Sequence, residues 1–171
     1  MRLQATVTEP EPVAAFCERL HPRLVGALRL HCGDDQAAQE LAQEALARAW
    51  ERWRSVQAMA SPEAWVFRVA LNLSTSRGRR LAAERRAHER LDVPRPAAAD
   101  EADRLAVRAA VAALPDRQRA ALVLRYYADL PVAEVAVAMR CAEGTVKSLT
   151  AKAVANLRAA IDDDVEVVEH A

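Results

Sequence analysis

The chain has 171 residues, of which 52% are hydrophobic, 28% charged and only 4% aromatic. This composition excludes collagen-like, disulfide-rich and wholly disordered proteins. The 24 basic and 24 acidic side chains cancel, so the net charge gives no indication of a polyanionic partner. Alanine is abundant and only four glycines are present, which favours helix. We predict an all-α protein.

Three amphipathic helices are predicted in the first half of the chain. In residues 13–30, apolar side chains recur at every fourth position and mark one helical side. The second helix carries an apolar stripe that includes Trp50 and Trp53, with charged side chains on its other faces. Ser61 is the expected N-cap of the third helix, because a proline follows it. These helices form a predicted first domain, residues 13–91.

The second half of the chain predicts a smaller helical domain. Residues 92–105 lose periodicity and are rich in proline, alanine and acids, as is typical of a flexible linker. Residues 106–161 then form the second domain. A short helix at 132–139, a turn and a longer helix from Gly144 are the pattern of a helix-turn-helix, whose second helix enters the major groove. An acidic tail, residues 162–171, follows.

The neutral total conceals two basic surfaces. Residues 77–90 hold six arginines against two acids, and residues 117–158 hold seven basic side chains against three acids. The acids that balance them lie in the second helix, the linker and the tail. Basic runs of this kind are suited to phosphates, while the acidic surfaces are suited to other partners.

We find no basis for a metal, a cofactor or an enzyme in the sequence. Cys17, His21, His31 and Cys32 could be combined into a zinc set, but two of them are sequence neighbours, which disfavours a site. Cys17, Cys32 and the third cysteine of the chain, Cys141, are expected to be buried thiols, and the histidines are expected to lie at the surface. No phosphate loop, nucleophile elbow or HExxH motif is present. No signal peptide or membrane span is present either, so a cytoplasmic protein without membrane insertion is expected.

Three segments in this order resemble the extracytoplasmic function sigma factors of bacterial RNA polymerase, which belong to the sigma seventy superfamily. The segment DDQAAQELAQEALARAW (34–50) resembles the family's second region, and SPEAWVFRVALNL (61–73) resembles its adjoining promoter-melting segment. The fourth region resembles LPDRQR (114–119), VLRYY (123–127) and EGTVKS (143–148). The resemblance covers most of the chain, from about residue 13 to 158.

The resemblance implies binding to core RNA polymerase. The second helix would dock on the clamp helices of the β′ subunit, and the second domain on the flap of the β subunit. The implied clamp contacts are Glu40, Leu41, Gln43, Glu44 and Arg48. An acidic helix face is what a basic clamp surface would complement.

The resemblance also implies promoter contacts in both domains. The third helix would hold an unstacked base of the minus ten element, with Asn72 as hydrogen-bonding group and Trp65 or Phe67 as a wall. The implied minus ten residues are Trp65, Asn72, Ser76, Arg77, Arg79 and Arg80. Ser76 stands where the family usually has an acid. The implied minus thirty-five residues are Arg140, Thr145, Lys147, Ser148, Thr150 and Lys152.

The helix-turn-helix departs from the family pattern in its turn and its recognition helix. Arg140 stands where the family usually has glycine, and Ala142 where it usually has a serine cap. Leu149 and Ala151 replace polar, basic or aromatic residues, so fewer base-edge donors remain. We therefore predict a weak grip on the minus thirty-five element.

The expected partners are core polymerase, promoter DNA and an anti-sigma factor packed between the two domains. The acidic tail could instead cover a basic face within the chain. The main alternative function is a free-standing helix-turn-helix regulator that binds DNA as a symmetric dimer. A protein-interaction module that antagonises another sigma factor is a further alternative.

Overall fold

The computed structural model describes the backbone of residues 11–87 and 99–169 and the side chains of residues 11–81 and 106–160. Every regular element in these ranges is helical, as predicted. The helices are α1 (Val13–Cys32), α2 (Asp35–Glu51), α3 (Trp53–Val56), α4 (Pro62–Ala87), α5 (Ala99–Ala113), α6 (Asp116–Leu122), a π-helical segment (Val123–Tyr127), α7 (Val132–Met139) and α8 (Glu143–Glu169). Helices α1 to α4 form the first domain and the later helices form the second.

Local chemistry sets the helix boundaries of the first domain. Gly33 ends α1 in the left-handed region, at a φ of 73°, and its amide donates to Arg29 O. Asp34 then begins α2, because its carboxylate accepts a hydrogen bond of 2.9 Å from the Ala37 amide. The predicted Ser61 cap is confirmed: its hydroxyl accepts from the Ala64 amide at 3.2 Å.

Small side chains bring α2 close to α1 and α4. The face of α2 that carries Ala38, Ala42, Ala45 and Ala49 is fully buried in the core. The sequence prediction that Trp50 joins this stripe is wrong, since its side chain is 55% exposed. Trp50 follows Ala49 on the helix and therefore points about 100° away from the buried face.

The second domain contains the predicted helix-turn-helix, α7 and α8. The turn between them places Arg140 in the left-handed region, at φ 52° and ψ 53°. The Cys141 amide donates to Ala136 O and the Arg140 amide to Val137 O, which is the Schellman arrangement. Among the described side chains of α8, those of Val146 and Ala153 are fully buried.

Two helices extend beyond their predicted ends. The backbone of α8 is helical to Glu169, past the predicted end near residue 161, because no glycine or proline interrupts the chain after Gly144. Helix α5 begins at Ala99, within the predicted linker. The rest of that linker falls in residues 88–98, outside the described residues, so the domain limits stay predictions.

The two domains pack against each other through α1 and α4. Helix α1 contacts α5, α6 and the π-helical segment, and α4 contacts α7. His31, predicted as a surface residue, is buried at this junction, with 3% of its side chain exposed. Its Nε2 atom lies 3.5 Å from Asp116 Oδ1 of the second domain. Within the described part of the chain, its Nδ1 atom has no hydrogen-bond partner.

Burial lowers the pKa of His31. Asp116 opposes this change because its carboxylate favours the imidazolium, while the nearby Arg119 guanidinium adds to it. The folded protein therefore holds His31 neutral at pH values where an exposed histidine takes up a proton.

We expect the free energy of unfolding to fall as the pH drops below 6.5, the ordinary histidine value, because the unfolded chain then binds a proton that folded His31 resists. The His31→Gln variant, which does not titrate there, should lose part of this dependence. Denaturant unfolding at pH 7.5 and 5.5 measures the difference. His21→Gln, an exposed histidine of the same helix, is the control, and equal pH dependence of all three proteins would contradict the expectation.

Replacement of Arg140 by glycine should stabilise the protein by about 1 kcal/mol, because glycine adopts left-handed φ values without a Cβ penalty. Asp129 also has a φ of 52°, but aspartate tolerates this region better, so Asp129→Gly should gain less. Chemical denaturation of the three proteins tests the order, and a destabilised Arg140→Gly protein would refute it.

Candidate functional site

The outer face of α2 presents polar and charged side chains to solvent. Glu40, Gln43, Glu44 and Arg48 are exposed, and we call these four residues the α2 patch. Within it, Arg48 Nε donates to Glu44 Oε1 at 2.8 Å. The fifth predicted clamp residue, Leu41, lies in the core with only 7% exposed. Leu41 therefore supports this face from beneath.

An ion pair links the α2 patch to the basic part of α4. Arg77 lies 3.0 Å from the Glu40 carboxylate, and the Gln36 amide donates to the other oxygen of that carboxylate at 3.1 Å. Arg77 and Glu40 are both 40% to 50% exposed at their side chains. In an exposed pair of this kind the attraction is weak and easily exchanged for another partner.

Of the predicted minus ten residues on α4, most are exposed, one is half-buried and one is buried. Asn72, Ser76, Arg79 and Arg80 are exposed, and Arg77 is half-buried. Trp65 is 8% exposed and Phe67 2%, so both rings belong to the core. Arginines of the basic run beyond residue 81 have side chains outside the described residues.

Asn72 lines a small cavity between the domains. The cavity has a volume of about 130 Å³, and its walls include Leu71 and Thr75 of α4 and Arg117, Met139 and Arg140 of the second domain. His31 also lines it, but none of its described lining residues is Phe, Tyr or Trp. The predicted pairing of Asn72 with an aromatic wall is therefore not formed in this conformation.

Trp65 instead lines a groove between α2 and α4. The groove has a volume of about 450 Å³, and Glu44, Arg48, Arg52 and Val69 are among its other lining residues. The groove beside Trp65 thus adjoins the α2 patch. Sequence reasoning did not single out Arg52, because its position beside the patch depends on how α2 packs against α4.

The recognition helix α8 exposes four of its predicted DNA contacts. Thr145, Lys147, Ser148 and Lys152 point to solvent, and Arg140 in the preceding turn is exposed as well. Thr150 differs, since its hydroxyl donates to Val146 O at 2.7 Å and is half-buried. A threonine hydroxyl satisfied by its own helix has less capacity to contact a base edge.

Two exposed aromatic side chains were not predicted as functional. Tyr126 is 65% exposed and Tyr127 48%, and both lie in the π-helical segment. The Ala128 amide donates to Val123 O at 2.9 Å, which is the wider hydrogen bond of a π-helix. The VLRYY sequence alone carries no signal of this local widening.

The described residues offer no metal site and no membrane span. No group of three or more His, Cys, Asp or Glu side chains is arranged around a common point in these ranges. Cys17 and His31 are 14 residues apart on α1, a separation of about 21 Å at the rise of an α-helix. No described helix combines the length and apolarity needed to cross a bilayer.

Comparison with known proteins gives the same division of the chain into two regions. Residues 16–84 match the family described as Sigma-70 region 2, and residues 104–157 match Sigma-70, region 4. The ECF RNA polymerase sigma factor SigL of Mycobacterium tuberculosis is 36% identical over 145 residues, which cover 80% of this chain and 81% of that protein. The RNA polymerase sigma-E factor of Streptomyces antibioticus is 34% identical over 151 residues, 85% of this chain and 84% of its own.

Solved structures share the helical fold. The sigma factor RpoE of Bartonella quintana, solved with the anti-sigma factor NepR, has a TM-score of 0.73 and 23% identity, covering 86% of this chain and 96% of its own. CnrH, solved with the cytosolic domain of CnrY, has a TM-score of 0.65 and 21% identity, covering 89% and 88%. With regions 2 and 4 both matched and relatives above 30% identity over most of their length, the chain belongs to the extracytoplasmic function sigma factors, the non-catalytic subunits with which bacterial RNA polymerase initiates transcription.

Proposed function

We propose that this sigma factor directs polymerase to promoters through three exposed helix faces, each with a separate partner. The α2 patch binds core polymerase, α4 binds the minus ten element, and α8 binds the minus thirty-five element. The observation that carries this assignment is that the polar residues of the three motifs face solvent while the apolar residues of the same motifs form the core.

The α2 patch suits a partner surface of mixed charge with a basic excess. Glu40 and Glu44 each have a cationic neighbour, Arg77 and Arg48, in exposed ion pairs. A basic clamp helix could exchange with these arginines at small cost, because exposed pairs contribute little free energy. The Trp65 groove beside the patch offers a place for one apolar side chain of the clamp.

Helix α4 suits single-stranded DNA. Asn72 supplies both a donor and an acceptor to a base edge, and Arg79 and Arg80 lie two turns further along the helix for phosphates. Because Trp65 and Phe67 are core residues, the base would rest on aliphatic side chains such as Leu71. If the base is held mainly by hydrogen bonds, α4 discriminates well between different bases but binds the single strand with low affinity.

Helix α8 offers a small number of contacts to duplex DNA. Lys147 and Lys152 can reach phosphates or guanine edges, and Thr145 and Ser148 provide hydroxyls. With Thr150 bonded to its own helix and Leu149 half-buried, few side chains remain for base readout. The proposed grip on the minus thirty-five element is accordingly weak.

A cytoplasmic location and an anti-sigma partner complete the proposal. Polymerase and promoter DNA are both cytoplasmic in bacteria, and the chain carries no described membrane-spanning helix. A protein with this fold has been solved with an anti-sigma factor, and the polymerase-binding face of the first domain and the DNA-binding face of the second offer such an inhibitor two faces to cover. Recovery of polymerase alone from a native lysate would count against the inhibitor.

Transcription in vitro tests the central assignment. Purified protein added to core polymerase and a supercoiled promoter library should produce transcripts with defined start sites. A free-standing regulator or an antagonist of another sigma factor would not produce them. Absence of such transcripts, with the protein bound to polymerase, would refute the proposed function.

Glu44→Lys should lower the affinity for core polymerase roughly tenfold, because it places a cation against a basic clamp surface. Fluorescence anisotropy with labelled protein measures the dissociation constant. Glu18→Lys, a change of the same kind on the exposed face of α1, should bind as the original protein does. Equal affinities of the two variants would remove Glu44 from the interface.

Asn72→Ala should weaken binding of the holoenzyme to single-stranded minus ten DNA by about 1 to 3 kcal/mol, the range typical of lost contacts to an extruded base. Affinity for core polymerase should not change. Gln57→Ala, at an exposed position after α3, serves as the control. A normal oligonucleotide affinity for Asn72→Ala would assign base recognition to other residues.

A further inference from the structure

A large cleft lies at the domain junction, between the loop that joins α1 to α2, helix α4 and helix α6. Its volume is about 730 Å³, within the range of roughly 300 to 1,000 Å³ that is typical of small-molecule sites. His31, Thr75 and Asp116 line both this cleft and the cavity of about 130 Å³ beside Asn72. The two spaces therefore adjoin, and we call them together the junction cleft.

Positive charge predominates in the walls of the junction cleft. Among the described residues, five arginines and two aspartates line it, an excess of three positive charges. The arginines are Arg77 and Arg79 of α4, Arg117 and Arg119 of α6, and Arg140 of the turn before α8. Both aspartates are already engaged, Asp34 in the cap of α2 and Asp116 opposite His31. A concave surface with an excess of one charge concentrates ions of the opposite charge.

Three of these arginines suit phosphate groups in different ways. Arg79 is exposed, and the exposed ion pair of Arg77 with Glu40 is easily exchanged. Arg119 donates to the carbonyls of His31 and Leu114 at 2.6 and 3.2 Å, so it supplies a positive charge that is fixed in place. Guanidinium groups donate paired hydrogen bonds to phosphate oxygens. An anion with more than one phosphate group matches this set of charges best.

Gly78 lies between Arg77 and Arg79 on α4 and also lines the junction cleft. A glycine in the interior of a helix destabilises it. The described part of the chain does not require one here, since the backbone of Gly78 has no positive φ and a Cβ atom there would have no described neighbour within 4 Å. The missing side chain thus leaves space beside the arginines for a molecule outside the chain.

An apolar wall lies in the same cleft. It includes Cys32, Ala37 and Leu81, and Leu81 is 41% exposed. An exposed leucine gains free energy when an apolar or aromatic surface covers it. A nucleobase supplies such a surface, and the phosphates of the same molecule would reach the arginines. An inorganic polyphosphate would leave this wall unused.

We propose that the junction cleft binds a nucleoside polyphosphate, with its phosphates on Arg77, Arg79 and Arg119 beside Gly78, and its base on the apolar wall that includes Leu81. Binding of the nucleotide does not depend on the proposed function. One consequence rests on the proposed function: Arg77 and Arg79 are also assigned to the minus ten element, so the nucleotide and single-stranded DNA compete for them.

Isothermal titration calorimetry of the full chain tests the site with ATP, GTP and inorganic tripolyphosphate. ATP or GTP should bind with one-to-one stoichiometry and at least roughly fivefold more tightly than tripolyphosphate, because only a nucleotide uses the apolar wall. Absence of binding, or binding of many equivalent molecules per chain, would overturn the site. Equal affinities for all three compounds would overturn the assignment of a nucleoside.

Gly78→Leu tests the position of the site. Its side chain should fill the space beside the arginines and lower the nucleotide affinity at least roughly tenfold. Leucine favours helix more than glycine does, so the midpoint of thermal unfolding should not fall, which separates lost binding from lost folding. Gly144→Leu makes the same change in α8, where a Cβ atom also has no described neighbour within 4 Å, and should bind as the original protein does. Unchanged affinity of Gly78→Leu would disprove the position.

Charge reversal provides a second variant pair. Arg79→Glu, at an exposed position of the cleft, should lower the nucleotide affinity at least roughly tenfold, because it replaces a phosphate partner by a like charge. Arg108→Glu makes the same change on the exposed face of α5 and should have less than a twofold effect at moderate salt, where distant charges are screened. Equal losses in the two variants would show attraction to net charge alone and overturn the site.

Displacement of a fluorescent ATP analogue from the free chain tests the competition. A single-stranded minus ten oligonucleotide should release the analogue as it binds. An oligonucleotide that binds without releasing the analogue would overturn the sharing of Arg77 and Arg79. Failure of the protein to direct transcription would refute the proposed function instead, with the calorimetric titration still deciding the nucleotide site.

Discussion

Close packing of alanine-rich helix faces is the constraint on which the first domain depends. With few aromatic residues in the chain, the core forms from short side chains, and the four fully buried alanines of α2 allow α1 and α4 to approach closely. A helix buried so completely on one side must present its opposite side to solvent or to a partner. The α2 patch is therefore fixed in place by a face that takes no part in binding.

The junction between the two domains combines a buried side chain with charged hydrogen bonds. The junction buries His31 and engages two arginines with the carbonyl ends of helices in the opposite domain. Charged hydrogen bonds to helix termini are individually stronger than neutral ones, so the two arginines help to hold the domains together in this structure.

Apart from the bounds of α5 and α8, the errors of sequence interpretation concern which side of a helix faces a neighbour. Trp50 was placed in the apolar stripe and is exposed, while His31 was placed at the surface and is buried. Leu41 was predicted to contact the polymerase clamp, but its side chain is buried in the core. Hydrophobicity predicts burial only on average, and a residue at the margin of a stripe is decided by the helix that packs there.

The sequence by itself determined the helical class, the Ser61 cap, the helix-turn-helix and the family, because these depend on local chemistry or on motifs in a fixed order. Arg140 in a left-handed turn was also foreseeable, since the turn geometry requires it. Only the tertiary structure decided that Asn72 and Arg140 share one cavity, that Trp65 lines the groove beside the α2 patch, and that Gly26 admits the Tyr127 ring. These arrangements bring together residues that are distant in the chain, and local periodicity contains no information about such long-range contacts.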